Sequence, residues 1–388
     1  MQCKPRAGLD KRARRPRPSG RFRTRERRKV AAPHAGICGS GNSGSRDMEE
    51  VAVLSGLLGR KVLIAGMFFV LYCAGVQAVQ TSSRAIGVLS LASDSTVLAV
   101  RFQGVFLAVL VVAFARARRQ RSLDVFRPHY LVNRVGQAIT QTGQTVCILF
   151  ASVEMAGQLQ SAVSMAVVPV WTLLVGGTLS RFGKHDRINA SAWVAPAIYA
   201  IAASLLASEA PKAEGSIWHG IAYMLGSGLF TTVLHYLTDD VSKKDAAAGD
   251  GRKESKLTQA LWQNGPAAVL AVPLWFTAAP VVSLERAAVP SSLLGVLLVL
   301  GVAGFSLLQQ LAMQLAYVTS EGTGITVARL NTLRGFQVMF GAALDIWLFH
   351  DVPGPVQIKA LLLVPVAMWA GWLLTTTKKN PDEGAGVQ

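Results

Sequence analysis

The chain carries ten stretches of about twenty mostly apolar residues, and few folds can absorb so many. They lie near 62–80, 95–114, 131–151, 159–179, 192–209, 217–237, 258–279, 292–316, 322–349 and 355–376. A helix rises ~1.5 Å per residue and the hydrocarbon layer of a bilayer is roughly 30 Å thick, so each stretch has the length of one crossing. Composition agrees: 51% of the 388 residues are apolar and only 16% charged, against about 25% charged in a soluble domain. The expected fold is therefore all-α and integral to the membrane, with ten transmembrane helices. The third and ninth stretches are the least apolar and are included because their neighbours leave them no other role.

The formal charge of +17 would fit a nucleic-acid binder were it spread over a folded face, but it is not. Residues 1–47 hold 14 Lys/Arg against Asp10, Glu26 and Asp47, which leaves 17 − 11 = +6 for the rest. This Arg/Pro/Gly/Ser run has one aromatic, Phe22, and reads as a solvated tail over residues 1–60, so nucleic acid is not an expected partner. A transit peptide, a cytosolic extension touching anionic lipid, and a natural start at Met48 all remain open for it, the transit peptide ranking last. Cys3, Cys38, Cys73 and Cys147 lie far apart with no CxxC pair, so neither zinc nor disulfides are implied.

Lys and Arg in short loops resist translocation and so set orientation. One side collects Arg116, Arg118, Arg119, Arg121, Arg127, Arg181, Lys184, Arg187, Lys243, Lys244, Arg252, Lys253, Lys256, Lys378 and Lys379. The other holds Arg84, Lys212 and Arg286, with Lys359 able to snorkel from the tenth stretch. That asymmetry calls for an even number of crossings with both termini in the cytosol, in the plasma membrane or an endomembrane such as Golgi or ER, ahead of a plastid envelope.

Shifting the chain by 165 residues on itself places His185-Asp186 on His350-Asp351, and also pairs Gln144 with Gln309, Gly157 with Gly322, Gly176 with Gly341 and Leu179 with Leu344. Two five-helix units, 61–209 and 210–377, with a short cytosolic tail at 378–388, account for this. An odd number of crossings per unit inserts the second upside down, the plan of secondary transporters whose site lies between the repeats.

Several segments resemble the drug/metabolite transporter superfamily, in particular its EamA-type and solute-carrier-35-like branches. In the first half these are LAVRFQGVFLAVLV and SVEMAGQLQSAVSMAVVPVWTLLVGGTLS; in the second, AYVTSEGTGITVARLNTLRGFQVMFGAALDIWLFHDVPGPVQ. The resemblance covers about 62–376 and implies ten helices in inverted repeats around a pore lined by the third, fourth, eighth and ninth. Where that family often has a Gly-Glu pair, this chain has Gly183-Lys184 and His350-Asp351.

Charges at bilayer depth cost at least ~2.5–3.5 kcal/mol each and are kept for a partner or a wet cavity. Arg101, Arg134, Arg329, Arg334 and Asp345 are such charges. Arg334 and Asp345 share a face but lie about 16 Å apart along one helix, so Arg334 is read as the ligand of an anionic solute group, or as a brace for a neighbouring helix. Arg101 is read as snorkelling or pairing with Asp94. The third stretch carries Arg134, Gln137, Gln141, Gln144 and Thr145 at spacings of three and four, a polar stripe that lipid would not accept, and the eighth carries Ser306, Gln309, Gln310 and Gln314; both are read as cavity linings, with interhelical locking as the alternative. Arg329 and Asn331 join the substrate-binding candidates, and Asp345 and His350 are the candidates for proton coupling. Tyr72, Gln77, Ser164, Tyr223, His235, Trp262, Gln263 and Asn264 carry less weight, anchoring being the commoner role of a lone His near a helix end.

No P-loop or metal-ligand cluster occurs in the sequence, so neither cofactor nor metal is expected. The reading is a secondary transporter, not an enzyme, moving a small organic solute, tilted toward an anion, by alternating access. A nucleotide-sugar antiporter of endomembranes is the alternative, and a polytopic membrane enzyme or a non-transporting scaffold the rival from another class. The bilayer and the solute are the expected partners, and the sequence leaves room for a homodimer.

Overall fold

The computed structural model describes residues 43–154, 157–182, 187–208, 217–248, 254–276, 285–375 and 377–378. The contact pattern divides the chain into Met1–Val51 and Ala52–Gln388. The second unit is helical: α1 (Ser43–Val88, begun in the first unit), α2 (Asp94–Gln120), α3 (Leu131–Glu154), α4 (Gly157–Arg181), α5 (Val194–Ser208), α6 (Ile217–Ala247), α7 (Lys256–Leu270), α8 (Leu293–Ser320), α9 (Val327–Asn331), α10 (Gly335–Phe349) and α11 (Pro355–Leu374). A two-residue antiparallel ladder joins Arg187–Ile188 to Thr377–Lys378. The tail at 1–42, the His185-Asp186 and Gly183-Lys184 pairs, and Lys212, Arg252, Lys253 and Lys379 lie outside the described residues.

Among the described residues six helical segments are long and apolar enough to cross a membrane: Leu58–Val88, Asp94–Gln120, Leu159–Arg181, Ala190–Ser208, Leu293–Ser320 and Pro355–Leu374. The other apolar stretches also fall on helix. The ninth stretch, expected to be one helix, starts only at Val327 and is broken by a 3₁₀ turn at Thr332–Arg334. The seventh ends as α-helix at Leu270, and a 3₁₀ turn carrying Pro273 follows.

Burial is inverted relative to a soluble protein. Val132, Leu63, Met67 and Val111 are exposed, while Arg134, Arg334, His235 and Gln137 are among the most buried side chains. An outer surface of apolar residues around a polar interior is what lipid selects, and these features make the chain a multi-pass membrane protein.

Helix ends are set locally. Ser93, Ser255, Ser292 and Thr326 each accept a hydrogen bond from the backbone amide three residues on, capping α2, α7, α8 and α9, the role that short hydroxyl side chains fill best. Gly322 and Gly324 take φ +71° and +73° in the turn between α8 and α9, a region open to glycine at no steric cost.

Contacts define two ends of the bundle. At the first, Thr96 bonds the Ala288 carbonyl and Arg84 meets Asp345 and Asp351. At the second, Thr258 bonds the Val125 carbonyl, Arg134 meets Glu254, and Ser191 bonds the Leu374 carbonyl. Between them α3 packs on α6 and α7, α2 on α7 and α8, α4 on α5, α6 and α10, and α5 on α11. Small residues permit the closest approaches: a Cβ on Gly104 would stand 2.9 Å from Ala303 Cβ, and one on Gly371 2.5 Å from Thr332 Cγ2. Gly304, by contrast, faces open space.

Candidate functional site

A cavity of about 420 Å³ opens at the first end of the bundle, walled by α1, α2, α3, α4 and α10. On α1 the helical repeat brings Gln77, Gln80, Thr81 and Arg84 to one side; α2 supplies Asp94 and Arg101, α3 Thr145, α4 Gln160 and α10 Asp345. Gly87, Val88 and Asp94 are exposed at its mouth, whereas Gln77, Arg101, Thr145 and Gln160 are buried.

Most of this lining is held in place by hydrogen bonds. The Ser161 hydroxyl lies 3.2 Å from Gln77 Oε1 and 3.1 Å from Gln80 Oε1. Gln337 Nε2 donates to Gln80 Oε1 at 3.2 Å, Gln77 Nε2 to Thr81 Oγ1 at 3.3 Å, and Gln160 Nε2 to the Ile148 carbonyl at 2.8 Å. Arg84 Nη1 is 2.8 Å from Asp345 Oδ1 and Nη2 3.3 Å from Asp351 Oδ2, with the guanidinium over the Phe349 ring. Arg101 differs. It is 8% exposed, lines the cavity, and makes no hydrogen bond or ion pair among the described residues. The expected pairing with Asp94 is absent; both line the cavity, seven residues apart on α2.

Arg334 sits in a separate buried cluster. Its Nη2 donates to the Tyr72 hydroxyl at 2.7 Å and its Nε to Asn331 Oδ1 at 3.4 Å. Asn331 Nδ2 donates to Thr172 Oγ1 at 3.0 Å, and Tyr72 meets His235 Nε2 at 3.3 Å. The guanidinium faces the Tyr72 ring, and no carboxylate among the described residues pairs with it. Its neighbour one turn on, Gln337, leads to the cavity through Gln80. The 3₁₀ turn at Thr332–Arg334 is fixed from α5 by the Tyr199 hydroxyl, which donates to the Thr332 carbonyl.

At the second end Arg134 and Glu254 form a buried pair, 0% and 1% exposed, with Nη2 2.8 Å from Oε2. Arg134 Nη1 also donates to Gln137 Oε1 at 2.6 Å, and Gln137 Nε2 to Thr238 Oγ1 at 3.1 Å. Asp245 accepts from the Glu254 amide and stands 3.7 Å from Lys256 Nζ. Burial pushes the Lys256 ammonium below its ordinary value, and Asp245 opposes that shift.

The structure thus redistributes the residues singled out by sequence. Gln137 joins α3 to α6, Gln141 Oε1 accepts from Gln263 Nε2, and Gln310 and Asn264 exchange two hydrogen bonds. These three lock helices together and do not line the cavity; of their α3 stripe only Thr145 reaches it. Gln144 is buried, as is Gln314, whose two amide atoms find no partner among the described residues. Arg329 stacks on Trp372 at 4.5 Å, away from the cavity, and exposed His350 ends α10 in the left-handed region. Asp345 lies in the cavity wall beside Arg84. His235, read as an anchor, is fully buried among Phe69, Tyr72 and Tyr317. Arg84, Gln80 and Gln160 carried no sequence signal beyond being polar inside or beside apolar runs.

No family profile and no curated protein matches the chain. Sixteen solved chains match it in structure. One, described only as the crystal structure of a protein, superposes with a TM-score of 0.56 over 82% of this chain and 98% of its own, at 13% identity. The likeness is one of fold.

Proposed function

We propose that the chain is a secondary carrier of the drug/metabolite transporter type, moving a small organic solute with an anionic group by alternating access. The observation that carries this reading is the polar cavity, open at one end of the bundle and walled by Arg101, which has no partner among the described residues, while a buried ion pair, Arg134–Glu254, ties helices together at the other end. A structural protein gains nothing from an unpaired charge at such depth.

In this reading ten helices cross the membrane, α9 and α10 together making one crossing, in two halves of opposite orientation. The packing pattern supports it. Relabelling each crossing by five exchanges α3–α7 with α8–α2, and leaves α2–α7 and α5–α11 as pairs of equivalent helices. The basic loops put the Arg134–Glu254 end in the cytosol, so the cavity faces outward or into a lumen.

The test is uptake by proteoliposomes holding the purified protein, offered organic acids, amino acids, sugar phosphates and nucleotide sugars. Saturable uptake of at least one solute, stimulated by the same solute preloaded inside, is expected. Uptake of every solute at the level of protein-free liposomes overturns the reading.

A further inference from the structure

Resting on the carrier reading, we propose that the cavity selects a solute bearing a single carboxylate, bound by the Arg101 guanidinium, and discriminates against phosphate esters and nucleoside diphosphates. Arg101 offers a fork of N–H donors, is more than nine-tenths buried, and lacks a partner among the described residues. A charge so placed needs an anion or water, and a planar fork matches the two oxygens of a carboxylate. Arg84, the other cavity cation, is already taken by Asp345 and Asp351. Arg334 is ruled out as the first contact because Tyr72 and Asn331 occupy it outside the cavity wall.

The charge count of the lining sets the selectivity. Its ionisable residues are Arg84, Arg101, Asp94 and Asp345, formally 2 − 2 = 0. One carboxylate on Arg101 leaves the site at −1. A phosphate monoester carries about −1.5 to −2 and a diphosphate at least as much, in a wall that already holds two carboxylates. Asp94 stands two turns from Arg101 along α2, exposed at the mouth of the cavity. The amides of Gln77, Gln80 and Gln160, oriented by their own hydrogen bonds, add uncharged polar contacts.

Proteoliposome uptake of lactate, alanine, phenylalanine, glucose 6-phosphate and UDP-glucose tests this, in wild type, Arg101→Gln, Arg101→Lys and Asp94→Asn. The expected result is uptake of a carboxylate probe and none of the phosphorylated ones, a KM raised at least tenfold in Arg101→Gln, and partial recovery in Arg101→Lys. Asp94→Asn is expected to raise uptake of glucose 6-phosphate relative to the carboxylates, an outcome that decides the matter even where Arg101→Gln fails to fold. A phosphorylated probe preferred by the wild type, or a KM within twofold of wild type in Arg101→Gln, overturns the carboxylate site and leaves the carrier reading standing. Uptake of no probe, with solutes outside this set transported, also overturns the site alone; no transport of any solute overturns both.

Discussion

Four buried or half-buried arginines meet four different fates, and their surroundings explain each. Arg134 is neutralised by Glu254 with both side chains out of solvent, so removing one partner strands the other charge. Arg134→Ala is expected to cost about 3–5 kcal/mol, read as a marked fall in the melting temperature of the detergent-solubilised protein, with Arg134→Ala/Glu254→Ala recovering part of the loss. Arg84 is about a third exposed and meets one buried and one exposed carboxylate. Water screens it, and Arg84→Ala is expected to destabilise less than Arg134→Ala in the same assay. Arg334 is held by the Tyr72 hydroxyl and Asn331; Tyr72→Phe removes its shortest hydrogen bond and is expected to lower stability by about 1.5–3 kcal/mol, the worth of a hydrogen bond to a charged group. Arg101 lines the cavity without a partner among the described residues, which is why the carboxylate proposal rests on it.

At the scale of elements, the apolar stretches announce the helices because about twenty lipid-compatible residues leave the backbone no other way to satisfy its amides. The interruptions are less legible. Pro273 stands in the sequence, yet proline is tolerated in membrane helices, so its position alone does not end α7. The 3₁₀ turn at Thr332–Arg334 has no local breaker ahead of it; it is held by tertiary contact with Tyr199. The site was harder still. Periodicity shows that Gln137, Gln141 and Gln144 share a face of α3 but not that α6 and α7 occupy it, and the cavity residues lie on five helices whose adjacency no linear spacing records. Close packing makes its own prediction. Gly371→Ala sets a methyl against Thr332 and Ala195 and is expected to cost about 1–3 kcal/mol, whereas Gly304→Ala, facing open space, is expected to leave the melting temperature unchanged; thermal melts of the two variants compare them directly.

At the scale of the whole 52–388 unit, an apolar exterior and a polar interior form one arrangement. Buried polar atoms without partners gather on α7 and α8, at Gln259, Gln263, Ser306, Gln309 and Gln314, and each costs about 1–3 kcal/mol if left dry. In the proposed carrier they are wetted when the second end opens. Orientation has a separate check: a glycosylation acceptor inserted after residue 212 is expected to be modified and one within 245–250 to remain unmodified. The most direct test of one-sided access is thiol labelling. With Cys3, Cys38, Cys73 and Cys147 replaced, a single cysteine at Gln80 is offered to a membrane-impermeant maleimide from either side of sealed vesicles. Modification from the side of the 88–94 loop and protection from the other is the predicted result; equal modification from both sides, or from neither, would contradict it.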